Sequence, residues 1–195
     1  MQEKQTNNLF PVFLKLENMA VLIVGAGLVG LEKLNAILNQ SPGTQVRIVG
    51  KEVREEIHVL AASYKNVVVE ERLFLPMDLY HADVVIIAVN DQNESKRIYG
   101  LAKSRKKLVN VADKPELCDF YMSSIIKKGN LKIAISTNGK SPTIAKRLKE
   151  VFNDLLPDEL DHILDKMSII RSRLSGDFSR KVEQLNHITE NLIQD

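Results

Sequence analysis

The stretch Val21-Leu22-Ile23-Val24-Gly25-Ala26-Gly27-Leu28-Val29-Gly30 constrains this chain more than any other. An apolar run of strand length ends in three glycines spaced G-x-G-x-x-G, and Leu28, Leu31, Leu34, Ile37 and Leu38 then recur on one face of a helix. Gly25 permits a tight turn, Gly27 lets a pyrophosphate approach the backbone, and Gly30 lets the helix pack on the strand. The first amides of the helix would then point at the anion. A purely structural strand-to-helix turn is the competing reading, and the apolar flanks on both sides favour the dinucleotide site.

The same alternation continues downstream. Strands are expected at about Ala20 to Val24, Gln45 to Val49, Val67 to Glu71, Ala82 to Val89 and Leu108 to Val111, with Phe10 to Leu16 extended and Asn18 in a turn. Helical spacing separates them at Val53 to Ser63 and Asn93 to Lys106, which implies a doubly wound parallel sheet. After Asp113 the rhythm changes. Phe120 to Lys127 and Leu131 to Ser136 flank Lys128-Gly129-Asn130 as an antiparallel pair, and Ser141-Pro142 supplies a cap and a first-turn proline for a helix to Leu155. Pro157 ends that helix. Two more are expected at about Asp158 to Leu174 and Phe178 to Ile193, parted by Ser175-Gly176-Asp177. The fold class is therefore α/β: a Rossmann-type parallel sheet over residues 1–113, a small antiparallel and helical segment over 114–150, and a helical region over 151–195.

Composition removes several functional classes. A net charge of +2 on 195 residues is too mild for a nucleic-acid partner. One cysteine, Cys118, excludes an internal disulfide framework, and His58, His81, His162 and His187 are too scattered for a structural zinc site. No segment approaches the ~18 apolar residues of a membrane span, and the opening MQEKQTNNLFPVF lacks the apolar core of a leader, so a cytoplasmic location is expected.

Chemistry in such a fold gathers at the carboxyl ends of the strands. Beside the glycine turn, the end of the second strand carries Gly50-Lys51-Glu52 where an acid normally meets the adenine ribose, which leaves the choice between NAD and NADP weakly coded. Asn90-Asp91 after the fourth strand either lines the cofactor cleft or caps the following helix. Asp113 is the sharpest single candidate: it follows the fifth strand and opens Asp113-Lys114-Pro115-Glu116-Leu117-Cys118-Asp119-Phe120. It reads either as a proton acceptor working beside a hydride transfer or as a turn aspartate ahead of Pro115. Asp119 reads as structural, and Cys118 as a buried bystander. The loop Ser136 to Pro142 is a second anion-site candidate whose alternative is simple capping. Lys127, Lys128, Lys140, Lys146, Arg147 and Lys149 would cluster near it for an acidic ligand.

Taken in order, Phe10 to Leu16, VLIVGAGLVG, VVIIAVND, Leu108 to Asp113, Cys118-Asp119-Phe120 and AISTNGKSPTIAKRLKE resemble the precorrin-2 dehydrogenase family, which includes bifunctional sirohydrochlorin ferrochelatases and the N-terminal module of siroheme synthase. The likeness covers about residues 9–156. Gly30, Glu32 and Ser123 depart from that family's common residues. The resemblance implies oxidation of precorrin-2 to sirohydrochlorin with NAD, and in some members insertion of ferrous iron. It assigns general-base catalysis to Asp113 and cofactor contacts to Gly25, Gly27, Leu28, Val29, Gly50-Lys51-Glu52 and Asn90-Asp91. It further implies a homodimer whose middle segment, like residues 114–150 here, exchanges contacts between subunits and closes the active-site cleft, with the helical tail covering it. An NAD(H)-sensing regulatory module with no tetrapyrrole chemistry is the alternative on the same fold.

Overall fold

The computed structural model describes residues 7–158, 160–174 and 178–189. Five strands, β1 (Ala20–Ala26), β2 (Gln45–Val53), β3 (Val67–Glu71), β4 (Val84–Ile87) and β5 (Leu108–Val111), form one parallel sheet in the order β3-β2-β1-β4-β5. All four pairings are parallel. The order reverses between β1 and β4, which opens a crevice beyond their carboxyl ends.

Period-two alternation divides the strands between two cores. Leu22, Val24, Val85, Ile87, Val109 and Val111 pack with Ile98 and Ala102 of α3 (Gln92–Ser104) and with Phe74 and Leu79. Val21, Ile23, Val46, Ile48, Val84 and Ile86 pack with Leu34, Ile37 and Leu38 of α1 (Leu28–Gln40) and Ile57 of α2 (Glu55–Ala62). Strands apolar on both faces are thus buried on both faces, as a parallel sheet requires.

Several boundaries differ from the sequence expectation, among them the start of the sixth strand, which is Ser124 and not Phe120. β2 runs on to Val53 instead of ending at Val49, because after the pair Val24↔Val49 the register resumes only at Ala26↔Val53. Gly25 alone therefore faces Gly50, Lys51 and Glu52, which form a bulge within the sheet and not a turn beyond it. β4 spans only Val84–Ile87, two residues shorter at each end than the expected Ala82 to Val89. Residues 7–15 lie outside regular structure and reach β1 through a short 3-10 turn, Leu16–Asn18.

Asn8–Met122 form one compact unit, and the chain from Ser123 onward belongs to another. In the second, β6 (Ser124–Lys128) and β7 (Leu131–Ile135) pair antiparallel. Gly129 at φ +55° makes their two-residue turn, and Asp161 accepts hydrogen bonds from the Asn130 amide at 2.7 Å and its Nδ2 at 2.9 Å. Helix α4 (Pro142–Leu155) packs over β6 and β7, burying Ile126 and Ala145, and α5 (Leu160–Arg173) and α6 (Phe178–Thr189) follow. The expected break at 175–177 and the end of the last helix beyond residue 189 lie outside the described residues.

Candidate functional site

The glycine turn has the shape the motif demands. Gly25 adopts φ +107°, and a Cβ there would collide with the Ala88 carbonyl. A Cβ on Gly30 would collide with the Gly25 carbonyl, so β1 and α1 meet as closely as backbones allow. Gly27 is different: it is exposed, with nothing within 4 Å of a Cβ built on it. It is also the N-cap of α1, with no side-chain cap and no acid in the first turn. The amides of Leu28, Val29 and Gly30 thus converge, with the positive end of the helix dipole, on open space beside Gly27. These residues fit a dinucleotide pyrophosphate.

At the bulge, Gly50 is buried, and a Cβ would lie 2.6 Å from Ala26 Cβ and 2.8 Å from Ala26 N. Gly50, the first of the residues standing where a ribose-binding acid is expected, therefore has no room for any side chain. Lys51 and Glu52 are exposed, and Arg54 pairs with Glu56 at 2.7 Å. After β4, Asp91 caps α3: its Oδ1 accepts from the Asn93 amide at 2.8 Å and the Glu94 amide at 3.0 Å. Capping, one of the two readings of this pair, is what the side chain does, and Asn90 is exposed beside it.

Asp113 lies two residues beyond β5 with its side chain exposed and φ at +58°, a left-handed conformation that non-glycine residues adopt at a cost of about 1 kcal/mol. The turn that holds it is fastened by Cys118. The Lys114 amide donates to the Val111 carbonyl at 3.3 Å. The Cys118 thiol shares its proton between the Val111 carbonyl at 3.2 Å and the Lys114 carbonyl at 3.3 Å, while Sγ accepts from the Val111 amide at 3.2 Å. Burial pushes this thiol up from its ordinary value, more than the Val111 amide pulls it down, so it stays protonated and able to donate. The bystander thus has a positioning role that no sequence signal marked, since its partners are main-chain atoms of a turn. Asp119 is structural as expected: it accepts from Lys103 Nζ at 2.7 Å and the Val109 amide at 2.9 Å, covering the free edge of β5.

The polar loop after β7 is closed on itself. Thr137 Oγ1 accepts from the Ser141 amide at 3.2 Å, and Ser141 Oγ accepts from the Ile144 amide at 3.2 Å, so capping accounts for the serine. The expected basic cluster is partly committed elsewhere: Lys128 pairs with Asp158, and Arg147 with Glu150 at 3.2 Å. All four histidines are exposed, and no group of three metal-ligating side chains occurs among the described residues. No helix among the described residues is long and apolar enough to cross a membrane.

Comparison with known proteins agrees with this geometry. Residues 12–124 match the family described as "Putative NAD(P)-binding", and residues 128–152 match "Sirohaem biosynthesis protein central". A siroheme synthase of Mannheimia succiniciproducens is 32% identical over 184 residues, covering 94% of this chain and 36% of that protein. One of Neisseria meningitidis serogroup C (strain 053442) is 36% identical over 166 residues, covering 85% of this chain and 33% of its own length. The chain thus spans about a third of the length of the siroheme synthases it matches. The solved structure of "SirC, precorrin-2 dehydrogenase" superposes with a TM-score of 0.73 at 27% identity, covering 92% of this chain and 89% of that one. The Rossmann-type fold, the nicotinamide dinucleotide cofactor and the family read from the sequence all agree with these matches.

Proposed function

The chain belongs to the NAD(P)-binding family matched by its residues 12–124, and from its likeness to a precorrin-2 dehydrogenase and to the central family of sirohaem biosynthesis we propose that it oxidises precorrin-2 to sirohydrochlorin with NAD. The reading is carried by one observation: an exposed carboxylate, Asp113, is held in a left-handed turn just past β5, on the same sheet edge as the uncapped glycine turn of β1 and α1. The superposition on the precorrin-2 dehydrogenase structure, which takes in 92% of this chain and 89% of that one, adds support.

When bound, the dinucleotide supplies the hydride acceptor. The chain's own part is positional. The α1 amides and Gly27 hold the pyrophosphate; Asp113 Oδ takes the proton that leaves the tetrapyrrole as its two electrons depart; Cys118 and the Lys114 amide keep the Asp113 turn in place. Gly25, Gly27, Leu28, Val29, Gly30, the Gly50-Lys51-Glu52 bulge and Asn90-Asp91 form the proposed cofactor contacts. Ferrous iron, as a second substrate, would follow at the same base, with Asp113 removing pyrrole N–H protons.

Anaerobic incubation with precorrin-2 and NAD tests the reading, with NADH formation and the sirohydrochlorin spectrum followed together before ferrous iron is added. Asp113→Asn should lower NADH formation by about 10²–10⁴-fold, the usual contribution of a general base, with NADH affinity retained. Near-normal turnover in that variant would remove Asp113 from catalysis. Tight NADH binding with no tetrapyrrole consumed by the unaltered protein would favour a sensing module instead.

A further inference from the structure

Lys114, next to the proposed base, is the least explained charged residue of the molecule. Its Nζ is closed off from solvent and has no hydrogen-bond partner among the described residues. Its backbone is fully engaged: the amide donates to Val111, and the carbonyl accepts from the Leu117 amide at 3.0 Å and from the Cys118 thiol. The neighbouring acids offer no ready counter-charge. Asp113 and Glu116 are exposed, and Asp119 is occupied by Lys103 and the Val109 amide.

A buried ammonium with no anion beside it is costly, because it gives up hydration and receives nothing in return. Its residue is only half-buried, so rotation about the flexible stem can deliver the head to a ligand at the Asp113 turn. Such an exchange removes the cost of unpaired burial and gains a charge-assisted hydrogen bond. We propose that Lys114 is a substrate-recognition residue that pairs with a side-chain carboxylate of the tetrapyrrole beside Asp113. This rests on the reaction proposed above. The other anion at hand, the dinucleotide pyrophosphate, belongs to the β1 turn, and β5 stands two strands from β1 in the sheet, roughly 10 Å at the usual strand spacing.

The test uses the full chain and two variants, Lys114→Met, which keeps the stem and removes the charge, and Lys114→Arg, which keeps the charge. Urea unfolding without ligand, titration with sirohydrochlorin and titration with NADH are measured on each. Lys114→Met should unfold at the same or a higher urea concentration, bind sirohydrochlorin at least about tenfold more weakly, as loss of one charged contact predicts, and bind NADH as before. Lys114→Arg should keep most of the sirohydrochlorin affinity. A Lys114→Met protein that binds sirohydrochlorin normally, that loses NADH affinity instead, or that unfolds more easily overturns the assignment, the last by showing the ammonium to be a structural prop. If the unaltered protein binds no sirohydrochlorin, the proposed reaction itself fails and takes this assignment with it; normal binding by both proteins fails Lys114 alone.

Discussion

Gly25 and Gly27 are two residues apart in one motif, yet the structure requires them for different reasons. Gly25 is needed to fold: Gly25→Ala places a Cβ against the Ala88 carbonyl at φ +107° and should lower stability by about 3 kcal/mol. Gly27 is needed only to bind. With open space around it and φ at −83°, Gly27→Val should keep stability within about 1 kcal/mol while NADH affinity falls by more than about tenfold, a separation that urea melts and fluorescence titration would read together. Asp78 is the charged counterpart of Gly25. Burial would raise its carboxyl, but Arg72, bound through two hydrogen bonds of 2.9 and 2.7 Å, and the Leu75 amide at 2.8 Å outweigh burial and hold it below the usual carboxylate range. A depressed folded value means that this stabilisation is present above the unfolded carboxyl value, about 4, and is lost as pH falls through the folded one. Asp78→Asn should therefore cost about 2 kcal/mol at pH 7, and the gap from the unaltered protein should close below about pH 4. Melts showing an equal gap at pH 3 and pH 7 would contradict the ion pair.

Elements were legible where sequence pattern alone sets their ends. The helix Pro142–Leu155 matches its expected bounds because Ser141, Pro142 and the following hydrophobic spacing act within one turn. Ser141→Ala should lower stability by about 1 kcal/mol in urea melts, since it frees the Ile144 amide. Strand ends were less legible, because a strand stops where its neighbours stop. β2 extends through Gly50, Lys51 and Glu52 only because Ala26 pairs with Val53, and no local residue announces that bulge. The Asp113 turn shows the same limit. An aspartate after a strand was visible in sequence; that Cys118 would fold back and clamp it was not, because backbone atoms brought close by a turn leave no pattern in side-chain types.

For the molecule as a whole, we propose that the apolar surface left on α4 serves the homodimer implied by the family resemblance: Ile144, Val151 and Leu155 are 55%, 52% and 70% exposed on one helix. Val151→Glu combined with Leu155→Glu should convert a dimer to a monomer in light scattering, with the helical signal retained. A monomeric unaltered protein at micromolar concentration would end that proposal. The sequence by itself determined the α/β class, the order of strands and helices and the dinucleotide turn, because hydrophobic period and glycine spacing are local and survive without neighbours. Only the tertiary structure decided that Gly50 has no space for a side chain, that Asp91 spends its carboxylate on a cap, and that the Nζ of half-buried Lys114 is closed off from solvent with no hydrogen-bond partner among the described residues. Each of these depends on which distant atoms occupy the few ångströms around a side chain, and that is settled by packing.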